Sequence, residues 1–250
     1  MATAVVHYSA AAVSDRGRKR PSNEDAFGYS TEHGVYLVCD GMGGAAAGEI
    51  ASSLAVDEFM RLLTSRAADV PLQEVIDQAI LTANEAIYSR SQANSKLSGM
   101  GTTMVALVVE ERRVRVLNIG DSRCYRLRGG HLEQISQDHS LVDEQVRLGR
   151  MTAAEALRSP LRNVITRALG TQSRVTPDIF ELEAEPGDLF LLCSDGLTRE
   201  LPAPRIESIL TVGAAPASLP LEALCCSLVE AANQAGGGDN ITCLLLRAEA

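Results

Sequence analysis

Short unbroken apolar runs alternate with longer stretches of helical spacing along this 250-residue chain. Val35-Tyr36-Leu37-Val38-Cys39 has the length and composition of a buried strand. With Phe27 to Ser30 and a turn near Glu32-His33-Gly34, it predicts a hairpin. Glycine-rich residues 41 to 44 break the strand. A helix is then expected from about Gly48 to Arg66, because Val56, Phe59, Met60 and Leu63 recur at i, i+3, i+4 and i+7. A clearer stripe follows Pro71, which suits a first helical turn: Leu72, Val75, Ile76, Ala79, Ile80, Ala83 and Ile87 share one face.

Residues 102–109 and 114–118 are β-branched and aliphatic, and residues 124–128 and 132–135 flank the tight-turn pair Gly129-Gly130. This predicts a β meander. Residues 138–170 lose the alternation and read as polar helix and loop, with a break at Ser159-Pro160. Strands are expected again at residues 179–182 and 189–193, joined by the turn Glu185-Pro186-Gly187-Asp188. A last helix carries Leu221, Leu224, Cys225, Leu228, Val229 and Ala232, and a strand closes the chain at residues 241–247. Strands outnumber helices and come as hairpins rather than in a βαβ rhythm. That favours an α+β fold of antiparallel sheets, with helices covering both outer faces of a two-sheet core. Neither an internal repeat nor a linker interrupts it.

Acids stand where several of these strands stop. Residues 35–39 run straight into Asp40-Gly41, and residues 189–194 into Asp195-Gly196; Asp121 follows the apolar strand ending near Ile119. Asn23-Glu24-Asp25 and Asp239-Asn240 add two more acidic motifs near the ends of the chain. Each alone is an ordinary turn. Together they point elsewhere, because a carboxylate at the tip of a buried strand is poorly solvated and several together repel unless cations neutralise them. The pattern predicts a divalent-metal site of hard oxygen ligands, suited to phosphoryl and hydrolytic chemistry. Since the motifs span residues 24 to 239, a shared site places both ends of the chain in one domain, residues 1–250.

Composition narrows the choice. The hydrophobic share of 46% is enough for a substantial core. A formal charge of −9 argues against a nucleic-acid partner and against anionic membranes. The basic cluster at Arg112 to Arg115 reads as a solvated hairpin. The six cysteines show no C-x-x-C spacing and mostly sit in apolar runs, as reduced core thiols of a cytoplasmic protein do. Residues 1–13 lack a signal peptide's basic start, and no apolar run approaches the roughly 18 residues of a membrane span.

Six motifs occur in order: Arg20-Pro21-Ser22-Asn23-Glu24-Asp25, Asp40-Gly41-Met42-Gly43-Gly44, Gly101-Thr102-Thr103, Gly120-Asp121-Ser122-Arg123, Ser194-Asp195-Gly196-Leu197 and Gly238-Asp239-Asn240-Ile241-Thr242. In order and spacing, over roughly residues 10 to 247, the chain resembles the bacterial form of the metal-dependent serine/threonine protein phosphatases, the phosphatase 2C (PPM) family. The resemblance implies a four-layer αββα sandwich with a flap near residues 138–170. It implies two Mn2+ or Mg2+ ions: Asp40 bridging them, the Gly41 carbonyl on one, and Asp195 and Asp239 completing the first ion's shell. Glu24 and Asp25 would serve the second ion, largely through water, and Asp121 with Asp195 a third and weaker one. Arg20 would hold the substrate phosphate. Chemically this is consistent, since cations sharing a carboxylate can supply hydroxide near neutral pH and a planar guanidinium can grip two phosphate oxygens. Without the motif, Arg20 would read as one of a solvated basic run with Arg16, Arg18 and Lys19. Gly41 would allow close approach to a cation, and Gly43-Gly44 a tight exit into the next helix.

The chain departs from the family at the proton donor. Some members carry a histidine directly after the Asp-Gly pair, where this chain has Met42; many bacterial members carry one three residues later, where it has Ala45. His139, in Gln137-Asp138-His139-Ser140, matches a common bacterial histidine and is a candidate general acid; it also reads as a loop residue orienting its neighbours, and a metal-bound water could serve instead. The flap is where substrate choice would be influenced, and Arg162 and Arg167 read there as surface ion pairs or phosphopeptide contacts. The implied activity is removal of phosphate from phosphoserine and phosphothreonine in proteins, opposing a serine/threonine kinase, by a monomer without a tether after residue 250. Three alternatives are a catalytically silent phosphoprotein binder, a two-metal nuclease, which the missing basic groove disfavours, and a phosphatase for one small regulatory protein.

Overall fold

The computed structural model describes residues 6–43, 47–213 and 219–249. Strands β1 (His7–Asp15), β2 (Asp25–Ser30) and β3 (Val35–Met42) precede the long helices α1 (Ala47–Thr64) and α2 (Leu72–Ala93). The meander follows as β4 (Gly101–Thr102), β5 (Met104–Glu110), β6 (Arg113–Ile119), β7 (Arg123–Arg128) and β8 (His131–Gln134). Two short helices, α3 (Leu141–Arg147) and α4 (Ala153–Arg158), lead to β9 (Asp178–Glu183) and β10 (Leu189–Cys193). Helices α5 (Asp195–Glu200), α6 (Ala203–Gly213) and α7 (Leu221–Ala235) then precede β11 (Ile241–Glu249).

Layering explains the unbroken apolar runs. One sheet has the order β1-β11-β10-β7-β8, the other β2-β3-β5-β6-β9 with β4 beside β3, and all the described pairings are antiparallel. Alternate residues of β3 serve different layers. Val35, Leu37 and Cys39 pack with α1 and α2, while Tyr36 and Val38 join Phe190, Leu192, Leu244 and Leu246 between the sheets. On β10, Leu189, Leu191 and Cys193 meet the helical layer that includes Ile206, Leu210, Leu224 and Leu228. A strand buried on both faces has no polar position to alternate, so period two disappears from its sequence. The result is the expected four-layer αββα sandwich. The cysteines are free thiols, buried except for Cys226.

Three elements escaped the sequence reading. β1 is rich in alanine, a poor strand former, and is held by its pairing with β11 along its whole length. The six-residue α5 is too short for a periodic signal. α6 buries Ile206 and Leu210, a spacing of four that could have revealed it. The basic hairpin is less solvated than expected, since Arg115 pairs with Glu110 and Glu181. In the flap region, Ser140 and Thr152 cap α3 and α4. Bridges from Ser140 to Ile165 and from Thr102 to Leu169 return the segment to the core.

Candidate active site

Strand register brings the first two acids together: Asp25 on β2 lies directly opposite Asp40 on β3. Like charges so placed oppose the pairing, and neighbouring hydroxyls and amides hold it. The Asp40 amide donates to Thr103 Oγ1 at 2.9 Å, and the Asp40 carbonyl accepts from the Thr103 amide at 2.9 Å and the Thr102 hydroxyl at 2.8 Å. Asp25 reaches across to the other sheet, where its Oδ2 accepts from Ser194 Oγ at 2.7 Å and Thr242 Oγ1 at 2.6 Å. The Glu24 carbonyl accepts from the Gly41 amide at 3.1 Å and Ser52 Oγ at 2.6 Å, and its amide donates to Asn240 Oδ1 at 2.9 Å. A Cβ at Gly41 would overlap the Gly48 carbonyl, so the start of α1 can cross there only over glycine. Gly44 and Ala45 lie outside the described residues.

The other acids come from the second sheet and the links between sheets. Asp195 opens α5, Asp121 follows Gly120 at the end of β6, and Asp239 precedes β11. Burial first, and then Asp25, Asp195, Asp121 and Asp239, hold the Asp40 carboxyl well above the ordinary range. Burial, followed by Asp121, does the same to Asp195. Burial pushes Asp25 and Asp121 up to about 6 and also raises Glu24. Asp25 Oδ1, Asp121 Oδ1 and Asp195 Oδ1 are buried with no hydrogen-bond partner.

Guanidinium groups supply the positive charge. Arg20 Nη2 lies 2.7 Å from Asp239 Oδ2, with half of its side chain exposed. Arg199, one helical turn beyond Asp195, contacts the Asp195 carboxylate and also places Nη1 3.0 Å from the same Asp239 oxygen. The sequence reading gave Arg199 no role, because its signal, four residues after an acid, depends on a helix that was not foreseen. Nor did it see that Arg123 grips Asp138 with Nε and Nη2, the shortest contact being 2.7 Å, behind Asp121.

His139 is placed differently from the acids. It is 2% exposed; its Nδ1 accepts from the Gly120 amide at 3.1 Å and its Nε2 lies 3.1 Å from Asp178 Oδ2. Burial lowers its pKa. Nδ1 is committed to the Gly120 amide, Nε2 faces Asp178 without an aligned hydrogen bond, and the ring is not among the residues lining the cleft, so the geometry favours the orienting role over the general acid. Arg167 forms the surface ion pair, with Asp178 at 2.7 Å, whereas Arg162 faces the cleft.

Arg20, Asp121, Asp195, Arg199 and Asp239 line one side of a cleft of about 680 Å³, and the flap residues Val142, Val146, Ala153 and Leu157 line the other. Among the described residues, no three His, Cys, Asp or Glu side chains are already arranged to hold one ion. The donor chemistry nevertheless fits hard divalent cations. Mutually repelling carboxylates, three of them with an unpartnered buried oxygen, are what Mg2+ or Mn2+ would neutralise, and among the described residues no sulfur ligand lines the cleft.

A family model described as Protein phosphatase 2C matches residues 15–229. The serine/threonine phosphatase stp of Listeria monocytogenes serotype 4b (strain F2365) is 38% identical over 242 residues, covering 93% of this chain and 92% of that protein. The serine/threonine protein phosphatase PstP of Mycobacterium tuberculosis (strain H37Rv) is 38% identical over 240 residues, covering 96% of this chain and 44% of PstP. The crystal structure of the M. tuberculosis phosphatase PstP/Ppp superposes with a TM-score of 0.89 at 36% identity, over 98% of this chain and 100% of that one. The catalytic domain of PstP in complex with two manganese ions superposes with a TM-score of 0.86 at 35% identity, over 99% and 100%.

Proposed function

This chain belongs to the protein phosphatase 2C family of metal-dependent serine/threonine protein phosphatases, and from that premise we propose a role for each residue of the acidic cleft. Asp40 would be shared by two Mn2+ or Mg2+ ions, with the Gly41 carbonyl, Asp195 and Asp239 serving one and Glu24 and Asp25 the other. Asp121 and Asp195 would hold a third ion more weakly. The two manganese ions of the PstP catalytic domain support the two-ion part of this set by likeness. When bound, such ions supply a water acidic enough to attack phosphorus near neutral pH and neutralise charge on the phosphoryl group.

The chain's own residues do the rest. Arg20 binds and orients the phosphate; to do so it leaves Asp239, and its half-exposed side chain has room to move. Thr103 fixes the backbone of Asp40 at the end of its strand. Ser194 and Thr242 hold Asp25 by one oxygen and leave the other, Oδ1, buried without a partner. His139 fixes the Gly120 amide and so the approach to Asp121. Among the described residues no histidine lines the cleft, which supports a donor to the departing serine or threonine oxygen other than a protein imidazole. The flap bounds the site that receives a phosphorylated protein.

We read residues 1–250 as one catalytic domain that acts as a monomer in the cytoplasm and reverses the work of a serine/threonine kinase. Among the described residues no helix is long and apolar enough to cross a membrane. The observation that carries the reading is the convergence of Asp25, Asp40, Asp121, Asp195 and Asp239, drawn from across the chain, beside Arg20. The test is hydrolysis of a phosphothreonine peptide with Mn2+. Asp40→Ala should abolish turnover while keeping the wild-type circular dichroism spectrum, and Arg20→Ala should raise KM. Near-wild-type turnover by Asp40→Ala would overturn the assignment.

A further inference from the structure

Asp239 Oδ2 is held twice, by Arg20 at 2.7 Å and by Arg199 at 3.0 Å. A carboxylate oxygen can accept from both, so Asp239 ties the two guanidinium groups together at one point of the cleft. Arg199 differs from Arg20 in its setting. It rises from α5 four residues after Asp195, the spacing that stacks side chains on one helical face. It spans two carboxylates, Asp195 and Asp239, and these are its described ion-pair partners. Its charge also acts on Asp121, more strongly than that of the adjacent Arg123. Arg199 therefore stands between Asp121 and Asp195, which would hold the more weakly bound ion and each have a buried unpartnered oxygen, and Asp239, which would serve the first ion.

We propose that Arg199 is a tethered counter-cation of the Asp121–Asp195–Asp239 side of the cleft, displaced when a divalent ion binds there, and that it sets the concentration of metal at which this happens. The proposal rests on the assignment of those acids as ion ligands and goes beyond it, since it concerns a residue outside the ligand set. The physical grounds are simple. An arginine stays charged at any accessible pH, so it cannot step aside by losing a proton. It must rotate out, and at one-third exposure the side chain opens to solvent and can do so. A metal ion entering this side gives the carboxylates a denser charge but must first replace two charge-assisted contacts. Such contacts are strong enough to weaken apparent metal affinity by roughly tenfold.

The test is equilibrium dialysis or calorimetric titration of the full chain with Mn2+. In Arg199→Met the weakest Mn2+ binding step should tighten by about tenfold, whereas Arg199→Lys, which keeps the charge but loses the planar fork that bridges both carboxylates, should tighten by less, staying within about threefold of wild type. A methionine titration that superimposes on wild type, or is weaker, overturns the proposal. A crystal structure of the wild type grown in Mn2+ is an independent check. Arg199 swung away from Asp195 supports the proposal, and Arg199 still bridging Asp195 and Asp239 beside a bound ion overturns it. The readout is binding rather than turnover. A wild type that hydrolyses no phosphopeptide, yet shows the tighter methionine titration, would sink the phosphatase reading and leave this one standing.

Discussion

Replacing Asp121 by asparagine should stabilise the metal-free protein, and the effect should depend on pH. Asp121 is 6% exposed, its Oδ1 has no partner, and burial raises its pKa from 3.8 to about 6. A carboxyl raised in this way binds its proton more tightly folded than unfolded. The fold therefore loses stability as pH climbs from 3.8 to about 6, and the deficit is constant above that. At 1.36 kcal/mol per unit of pH, the deficit at pH 7.5 is about 3 kcal/mol, and at pH 4.5 it shrinks to about 1 kcal/mol. Asparagine has the same shape and no charge to desolvate. In a chelator at pH 7.5, Asp121→Asn should raise Tm by roughly 6–12 °C for a chain of this length, and by only a few degrees at pH 4.5. Adding Mn2+ should reverse the ranking in part, because a ligand at about a hundred times its Kd contributes about 2.7 kcal/mol to the protein that binds it. Circular dichroism melts with EDTA and with Mn2+ at the two pH values measure all four cases. A variant melting at or below wild type in EDTA at pH 7.5 would refute the argument that this carboxylate is held charged at the expense of the fold.

Two other substitutions probe the frame around the site. A Cβ at Gly196 would overlap the Asn240 carbonyl, next to Asp239, so Gly196→Ala should push α5 away from the start of β11 and weaken Mn2+ binding by at least about tenfold; unchanged affinity by dialysis would contradict this. Arg128 holds the buried Asp188 with Nε and Nη2, both at 2.6 Å, so Arg128→Met should lower urea stability by about 3 kcal/mol and leave kcat unchanged, and a loss below about 1 kcal/mol would show that Asp188 finds other partners.

Much of the fold was legible because strands buried on both faces leave unbroken apolar runs and two-sided helices write a strong period. The run at 35–39, the stripe of α2 and the turn glycines at 129 and 130 each allow one local structure. β1 was not legible because its alanines gain their place only from β11, some 230 residues away. The acids were visible as strand ends, and their order carried the family resemblance. What the sequence could not supply was how they are neutralised. Ser194 and Thr242 hydrogen-bond Asp25 across more than 160 residues of chain, and Arg199 acts through a helix of one and a half turns. The Asp25 partners obey no spacing rule and exist only once the two sheets meet, whereas the spacing of Arg199 from Asp195 has meaning only once α5 is known to be a helix. For His139 the sequence left two readings, general acid or orienting loop residue, and only the folded contact of Nδ1 with the Gly120 amide, beside Asp178, supports the second over the first.

The bond from Asp25 to Ser194 and Thr242 joins a residue of one sheet to two of the other. The cleft thus lies on the seam between two layers that could otherwise slide. Any substitution in the shared interior that shifts one layer by a fraction of an ångström, at Phe190 or Leu244 for example, would change the separation of the carboxylates before it melted the protein. Screens that score stability and activity separately should find such mutations first as enzymes that demand more metal. A defect in the core would then be rescued by manganese concentration, far from any residue that touches an ion.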